Sequence, residues 1–565
     1  MTNKYLAAAA ALTVAGVLAA CTQGGDAAPP AAGTSRAVAK CDPRLDTAFK
    51  AWARAGFSGS IAISTGGKFD CRAAYGSAND DSETPNTTGT VFSIGSITKA
   101  VTAATVFGLA DDGKLGLDDR AGYLLPGLTG PVRKVTVRQL LLHTSGLKGS
   151  HGEDHKPLSR KAALKAISRL ELAFRPGSGY AYSNAGYTLL ALIIEQVSGA
   201  TYRQYTASEM LRMPGGRVAG GFWDGRPAPS GPRATGYLED GQAGESGDFA
   251  GPHWALDGNG ALAMTAGDLA AWTWALFTSR LVSAESVEAI SKPGHDLGDG
   301  QSETPGWVAF DASRYGKPFL MSAGGGGQVG HDAVVAWIPG EQRVITIVSN
   351  KPKVSAADLL KKVGPALITG KPLPTPRPPV DAGSDPAATA GKYVSRSDGS
   401  FDVTSAGQRI TISATGTDAV TALFPPSGGF TAADFRAHEK RVRALLAGES
   451  REGREERASL EDAFGPLRRV ALGGTVFQGG DVRTYVTLAT RAKAVTGWYS
   501  LNEVGGISAA EVPTKPPALT LVPAGRDRYL PDDPPRYGPA LAVKLAFGPQ
   551  SGSGPGGTTV AERSD

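Results

Sequence analysis

The stretch Phe92-Ser93-Ile94-Gly95-Ser96-Ile97-Thr98-Lys99 opens an alanine- and valine-rich run that reads as a helix continuing to about Ala110. Ser96 and Lys99 stand three apart, so on a helix they share a face and the amine can reach the hydroxyl. A serine hydroxyl alone is a weak nucleophile, and a neighbouring amine that accepts its proton activates it. The pattern S-x-x-K is common, about one by chance in a chain of this composition, and most such pairs are solvated on a helix surface. Its weight comes from the segments around it.

A chain of 565 residues that is 41% hydrophobic can bury a large core and is expected to hold two or three domains. With 75 glycines and 38 prolines and no fixed period, it reads as a loop-rich globular protein rather than a bundle or fibre. Its 58 basic and 53 acidic residues nearly balance. Basic residues cluster only between Lys440 and Arg457, interleaved with acids, which argues against nucleic-acid binding.

At the N-terminus, Lys4 precedes an apolar run from Leu6 to Ala20, too short and alanine-rich for a membrane span, which reads as an export signal over residues 1–20. Its end, Leu18-Ala19-Ala20-Cys21, resembles the lipobox of bacterial lipoproteins, which implies lipidation of Cys21 and a membrane-anchored, extracytoplasmic location. Cleavage after Ala20 beside an incidental cysteine is the alternative. Residues 21–41 carry Gly, Ala and Pro without apolar periodicity, as a tether would. Cys41 and Cys71 are the other two cysteines, and in an oxidising compartment they either form a disulfide or stay as buried thiols.

Residues 42–370 read as one α+β domain. A helix near Asp46–Ala55 leads into a strand hairpin, 58–64 and 71–76, turning at Thr65-Gly66-Gly67. Helical spacing dominates from Ser96 to about Leu211, and strands return at 333–338 and 344–349, joined at Pro339-Gly340, before a helix over 356–368. Strands at both ends with helices between predict a sheet closed by distant pieces beside a helical region. Residues 371–390 are a proline-rich linker. Residues 391–549 form a β-rich domain with alternating runs at 408–413, 482–490 and 494–501 and a charged helical interval over 434–460. The Gly/Ser-rich tail, 550–565, is expected to stay unstructured.

Downstream of Ser96, the loop Pro176–Tyr187 holds Tyr182 and Asn184 two apart. To act as a base, a tyrosine needs a cation that favours its phenolate, and Lys99 is the candidate. An asparagine amide can hold a substrate carbonyl. With these stand Leu109–Asp119, Val135–Leu147 (containing His143-Thr144-Ser145-Gly146-Leu147) and Gly258–Thr265, all in one order. Together they resemble the serine β-lactamase and penicillin-binding protein superfamily, in its class C β-lactamase, DD-peptidase and esterase branch, over residues 42 to 370. The resemblance implies an antiparallel sheet flanked by helices with a helical subdomain. It also implies an acyl-enzyme mechanism, in which Ser96 attacks a carbonyl, Lys99 and Tyr182 shuttle its proton, and Asn184 orients the acyl amide.

Where that family has K-T-G or H-x-G on the strand beside the cleft, this chain reads Ser322-Ala323-Gly324-Gly325-Gly326-Gly327-Gln328-Val329-Gly330-His331. Ser322 then stands in the basic position, Gly324 permits close backbone approach, and Gly325 supplies an oxyanion N–H. Loss of the cation has two expected consequences. Tyr182 depends on Lys99 alone, and a substrate carboxylate loses its partner, which favours neutral substrates. The glycine run lacks the ending of a phosphate loop. His331 could restore charge only if its loop folds back, and otherwise is a satisfied structural side chain, as is His143. His151 and His155 lie among loop formers, and neither metal nor cofactor is expected.

The reading is a secreted, lipid-anchored serine hydrolase that cleaves an ester or amide of a small molecule or peptide through acyl-Ser96. The alternative is a penicillin-binding-like envelope receptor with weak or no turnover. The oligomeric state is not legible.

Overall fold

The computed structural model describes residues 40–531, apart from 239–240, 245–250, 326–328, 377–384, 396–398, 427–429, 479–480, 492, 503–504 and 526–527, together with 552–554, 557–559 and 561–564. The export signal, Cys21 and all but the end of the tether lie outside these residues. Among the described residues no helix is long and apolar enough to cross a membrane.

Nine strands build the central sheet: β1 Lys40–Cys41, β2 Gly59–Thr65, β3 Lys68–Tyr75, β4 His295–Gly298, β5 Gln301–Thr304, β6 Trp307–Phe310, β7 Phe319–Gly324, β8 Asp332–Ile338 and β9 Arg343–Ser349. Their order is β1-β3-β2-β9-β8-β7-β6-β5-β4, antiparallel throughout. As expected, the N-terminal hairpin and the last strands close on one another, with Gly59 opposite Ser349 and Thr65 opposite Arg343. In β8, Ala333, Val335 and Trp337 join one apolar cluster and Val334, Ala336 and Ile338 the other. Side chains alternate between faces, so a strand covered on both sides reads as a continuous apolar run.

Helices α1 (Pro43–Arg54) and α5 (Ala356–Thr369) cover one face through Phe49, Trp52, Leu359, Val363 and Leu367. The other face carries α4 (Ala266–Phe277) and the helical region, whose centre is α2 (Thr98–Asp111) packed on α3 (Asn184–Ser198). Eleven residues of α2 are buried, from Thr98 to Leu109, so it runs through the core. Cys41 and Cys71 are directly opposed on β1 and β3 and form a disulfide. Closing that 30-residue span stabilises the fold by about 3–4 kcal/mol in the chain-entropy account.

The linker ends are ordered. Trp52 Nε1 donates to Pro374 O at 2.8 Å, and Pro386–Thr389 forms a short helix capped by Asp385. Beyond it stand a six-stranded sheet, in the order 528–531, 518–525, 409–415, 400–406, 391–395, 561–564, and a four-stranded one, 469–478, 481–489, 494–501, 507–511. Their apolar clusters contain only residues from Tyr393 onward, so this β-rich region has its own cores. The charged interval is two helices, Ala432–Leu446 and Arg451–Phe464.

The tail corrects an expectation. Ala561–Ser564 pairs antiparallel with Gly391–Ser395. A sheet edge offers unpaired backbone N–H and C=O groups, and pairing with them needs no apolar pattern.

Candidate active site

Gly95–Ile97 forms a single 3-10 turn that runs directly into α2, which places Ser96 at the mouth of the helix and Lys99 in its first turn. Lys99 Nζ donates to Ser96 Oγ at 3.0 Å and to the carbonyl of Asn259 at 3.0 Å. Tyr182 OH donates to the same Ser96 Oγ at 2.9 Å. Its ring lies 4.8 Å from Lys99 Nζ. Lys99 from the same turn and Tyr182 from 86 residues away therefore meet at the Ser96 oxygen.

The Asn259 carbonyl is itself held. Asn259 Nδ2 donates to Thr188 Oγ1 and Ala255 O, Thr188 Oγ1 donates to Asp257 O, and Thr102 Oγ1 donates to Gly258 O. Beneath this loop Arg203 pairs with both Asp224 and Asp257 at 2.8 Å.

Lys99 is 3% exposed, and this burial lowers its amine to about 7, against the opposing fields of Asp154 and Glu303. It is thus close to half-neutral at pH 7. Tyr182 moves the other way: packing around its ring raises its hydroxyl to about 12, although the Ser96 hydrogen bond lowers it. With 53% of Tyr182 open, water in the cleft tempers that rise without reversing it. The two shifts run opposite to a phenolate drawn out by a cation: burial lowers the amine of Lys99 and raises the hydroxyl of Tyr182.

β7 passes beside the serine turn. A Cβ added at Gly324 would lie 2.1 Å from Ile94 O and 2.7 Å from the Ser96 backbone nitrogen. Only glycine permits that approach. Gly325 follows in open space. Ser322 is buried on the same strand face as Gly324, the face that carries Leu320 into the helical-side core. Asn184, first residue of α3 behind the capping Ser183, has a buried Oδ1 without a hydrogen-bond partner. Gly326, Gly327 and Gln328 lie outside the described residues.

His331 does not face the cleft. It is 2% exposed, its Nδ1 accepts from Ser93 N–H at 2.8 Å, its ring packs on Phe92 and Trp223, and burial lowers it to about 3. His143 is structural too, with its Nδ1 accepting from Ser183 N–H at 3.0 Å.

Sequence reading missed Glu303. It lies on β5, accepts from Tyr180 OH at 3.0 Å, and is pushed up to about 8 by burial, with Tyr180 and Lys99 pulling down.

This arrangement can be set beside known proteins. A family model described as Beta-lactamase matches residues 46–365. The chain belongs to the β-lactamase family. That family comprises serine hydrolases and penicillin-binding proteins. The chain is 25% identical to Penicillin-binding protein 4* of Bacillus subtilis (strain 168) over 397 residues, which covers 66% of this chain and 86% of that protein. It is 31% identical to Protein flp of Staphylococcus aureus (strain COL) over 161 residues, 27% of this chain and 32% of that one. In fold it resembles the octameric penicillin-binding protein homologue from Pyrococcus abyssi, with a TM-score of 0.52 and 19% identity over 81% of this chain and 96% of that one. The β-lactamase-like fold expected from Ser96–Lys99 and its companion segments is thus borne out.

Proposed function

We propose that this chain is an extracytoplasmic, lipid-anchored serine hydrolase that cleaves an ester or amide through acyl-Ser96, on substrates without a carboxylate beside the scissile bond. The observation that carries this reading is the convergence of Lys99 Nζ and Tyr182 OH on Ser96 Oγ. Ser96 Oγ bonds to the carbonyl carbon as its proton passes to the neutral amine of Lys99. The oxyanion formed would take N–H groups of Ser96, in the first turn of the helix, and of Gly325. On collapse the carbonyl re-forms, the bond to the leaving group breaks, and Tyr182 or the Lys99 ammonium returns a proton to that group. Water then repeats the sequence on the acyl-enzyme and releases the acid. In this reading Asn184 orients the acyl amide, and among the described residues its buried Oδ1 has no partner that would compete.

Two features favour uncharged or cationic acyl donors. Ser322 offers no charge to a carboxylate, and the field that Asp154 exerts at Lys99 is that of an acid. Export and lipidation at Cys21 rest on the N-terminal sequence alone.

The test treats the protein and its Ser96→Ala variant with a fluorophosphonate, a fluorescent penicillin and a short-chain chromogenic ester. Ester turnover that vanishes in the variant is expected. Absence of acylation by all three probes would overturn the reading, and stable penicillin labelling without turnover would favour a receptor.

A further inference from the structure

Glu303, 5% exposed, is tied to both supports of the loop that carries Tyr182. Tyr180, two residues before Tyr182, donates its hydroxyl to Glu303 Oε2 and stacks on His295 with ring centres 5.5 Å apart. His143 holds Tyr182 by both neighbours: its carbonyl accepts from Ala181 N–H at 2.9 Å, its Nδ1 accepts from Ser183 N–H, and its ring lies 4.4 Å from that of Tyr182. Because Nδ1 accepts, the ring proton is assigned to Nε2, which faces Glu303 Oε1 at 3.9 Å. No motif of the family resemblance contains Glu303.

We propose that Glu303 is a positioning residue for the acyl-transfer reaction, fixing the aim of Tyr182 through Tyr180 and His143. This rests on the acyl-Ser96 reading. The groups that face Glu303 are Lys99 from α2, His143, Tyr180 and Tyr182 from the loops, Tyr187 from α3, and His295 from the paired strand β4, while exposed Asp154 adds a second negative field on Lys99 and Tyr182. Burial holds His143 at about 3, so it stays neutral. Burial pushes the Glu303 carboxyl up to about 8, with Tyr180 and Lys99 pulling down.

The experiment compares the full chain with Glu303→Gln and Glu303→Ala, reading kcat and KM for the chromogenic ester and thermal stability from pH 5 to 10. Gln preserves the uncharged hydrogen-bonding group. It should accept the Tyr180 hydrogen bond as Glu303 does and keep kcat and KM close to wild type. Ala leaves Tyr180 without its acceptor and should lower kcat by about tenfold or more with KM little changed. Stability provides a readout independent of turnover. A carboxyl that stays protonated when folded but ionises near 4.3 when unfolded makes the native state less stable as pH rises from about 5 to 8. That slope should be shallower in Glu303→Gln than in the wild type, the remainder coming from Asp332 and Asp257, which burial also pushes up. A Glu303→Ala protein with wild-type kcat, or a Glu303→Gln protein as impaired as Glu303→Ala, would overturn this inference. A wild type that shows no Ser96 acylation would instead be the failure of the hydrolase reading.

Discussion

Gly324→Ala tests the closeness of β7 to the serine turn. The added methyl would stand 2.1 Å from Ile94 O, 2.9 Å from Ile94 C and 2.7 Å from Ser96 N. All three are backbone atoms, so no side chain can swing away. Restoring an ordinary 3.4 Å contact requires an opening of about 1.3 Å at the nearest atom. The strand cannot take up this shift freely, because Gly324 is paired with Ala333 and Ser322 with Val335. The displacement therefore falls on Ile94–Ser96 and on Gly325, which together present the oxyanion N–H groups. A misplacement of about 1 Å at reacting groups costs on the order of 100-fold in rate. Ester hydrolysis should show that loss in kcat, with a folded protein by circular dichroism. Gly340→Ala, at a turn with no atom within 4 Å of the new methyl, serves as the control and should be silent. A Gly324→Ala protein that is folded and within about threefold of wild-type kcat would refute the assignment of this contact to the oxyanion site.

Fluorophosphonate labelling of Ser96 should accelerate as pH rises through about 7, since the amine of Lys99 accepts a proton only once it has lost its own. Lys99→Arg, always charged, should slow it by about 100-fold or more. Asn184→Ala should raise KM for amide-bearing acyl donors while leaving the melting temperature unchanged or higher, because the buried Oδ1 has no partner to lose. Arg203→Met leaves Asp224 and Asp257 as buried carboxylates without their cation, and urea denaturation should show about 3–5 kcal/mol lost. Ser322→His should shift the substrate ranking toward carboxylate-bearing donors, and an unchanged ranking would remove that position from recognition.

The sequence disclosed what local pattern and motif spacing can carry. β8 and β9 were legible because burial on both faces makes a strand one apolar run, and Pro339-Gly340 marks the turn between them. Ser96, Lys99 and Tyr182 were legible as members of ordered segments. Glu303 was not. The strands from His295 to Phe310 are short, and their buried positions are interspersed with half-exposed ones, so Glu303 looks like any surface acid. Its burial comes from Tyr180 and His143, 123 and 160 residues away in sequence. The direction in which Lys99 shifts was not legible for the same reason. Spacing places an amine beside a hydroxyl, while its ionisation depends on how much protein surrounds it.

That last point separates two consequences of Ser322 that the sequence joins. A second cation in the cleft would serve both to activate the base and to receive a substrate carboxylate. Activation here has another source, since burial at 3% exposure is the leading cause of the neutral amine at Lys99. A positive charge at position 322 would repel the Lys99 ammonium and lower it somewhat further, adding to an effect already present. Recognition has no such substitute, because His331, the one nearby residue with a claim to the role, is packed against Phe92 and Trp223 and stays neutral. On the proposed reading a serine at 322 offers anions no cation and leaves the Lys99 amine in place, so Ser322→His should alter which donors are accepted far more than the rate at which Ser96 is acylated by a neutral ester.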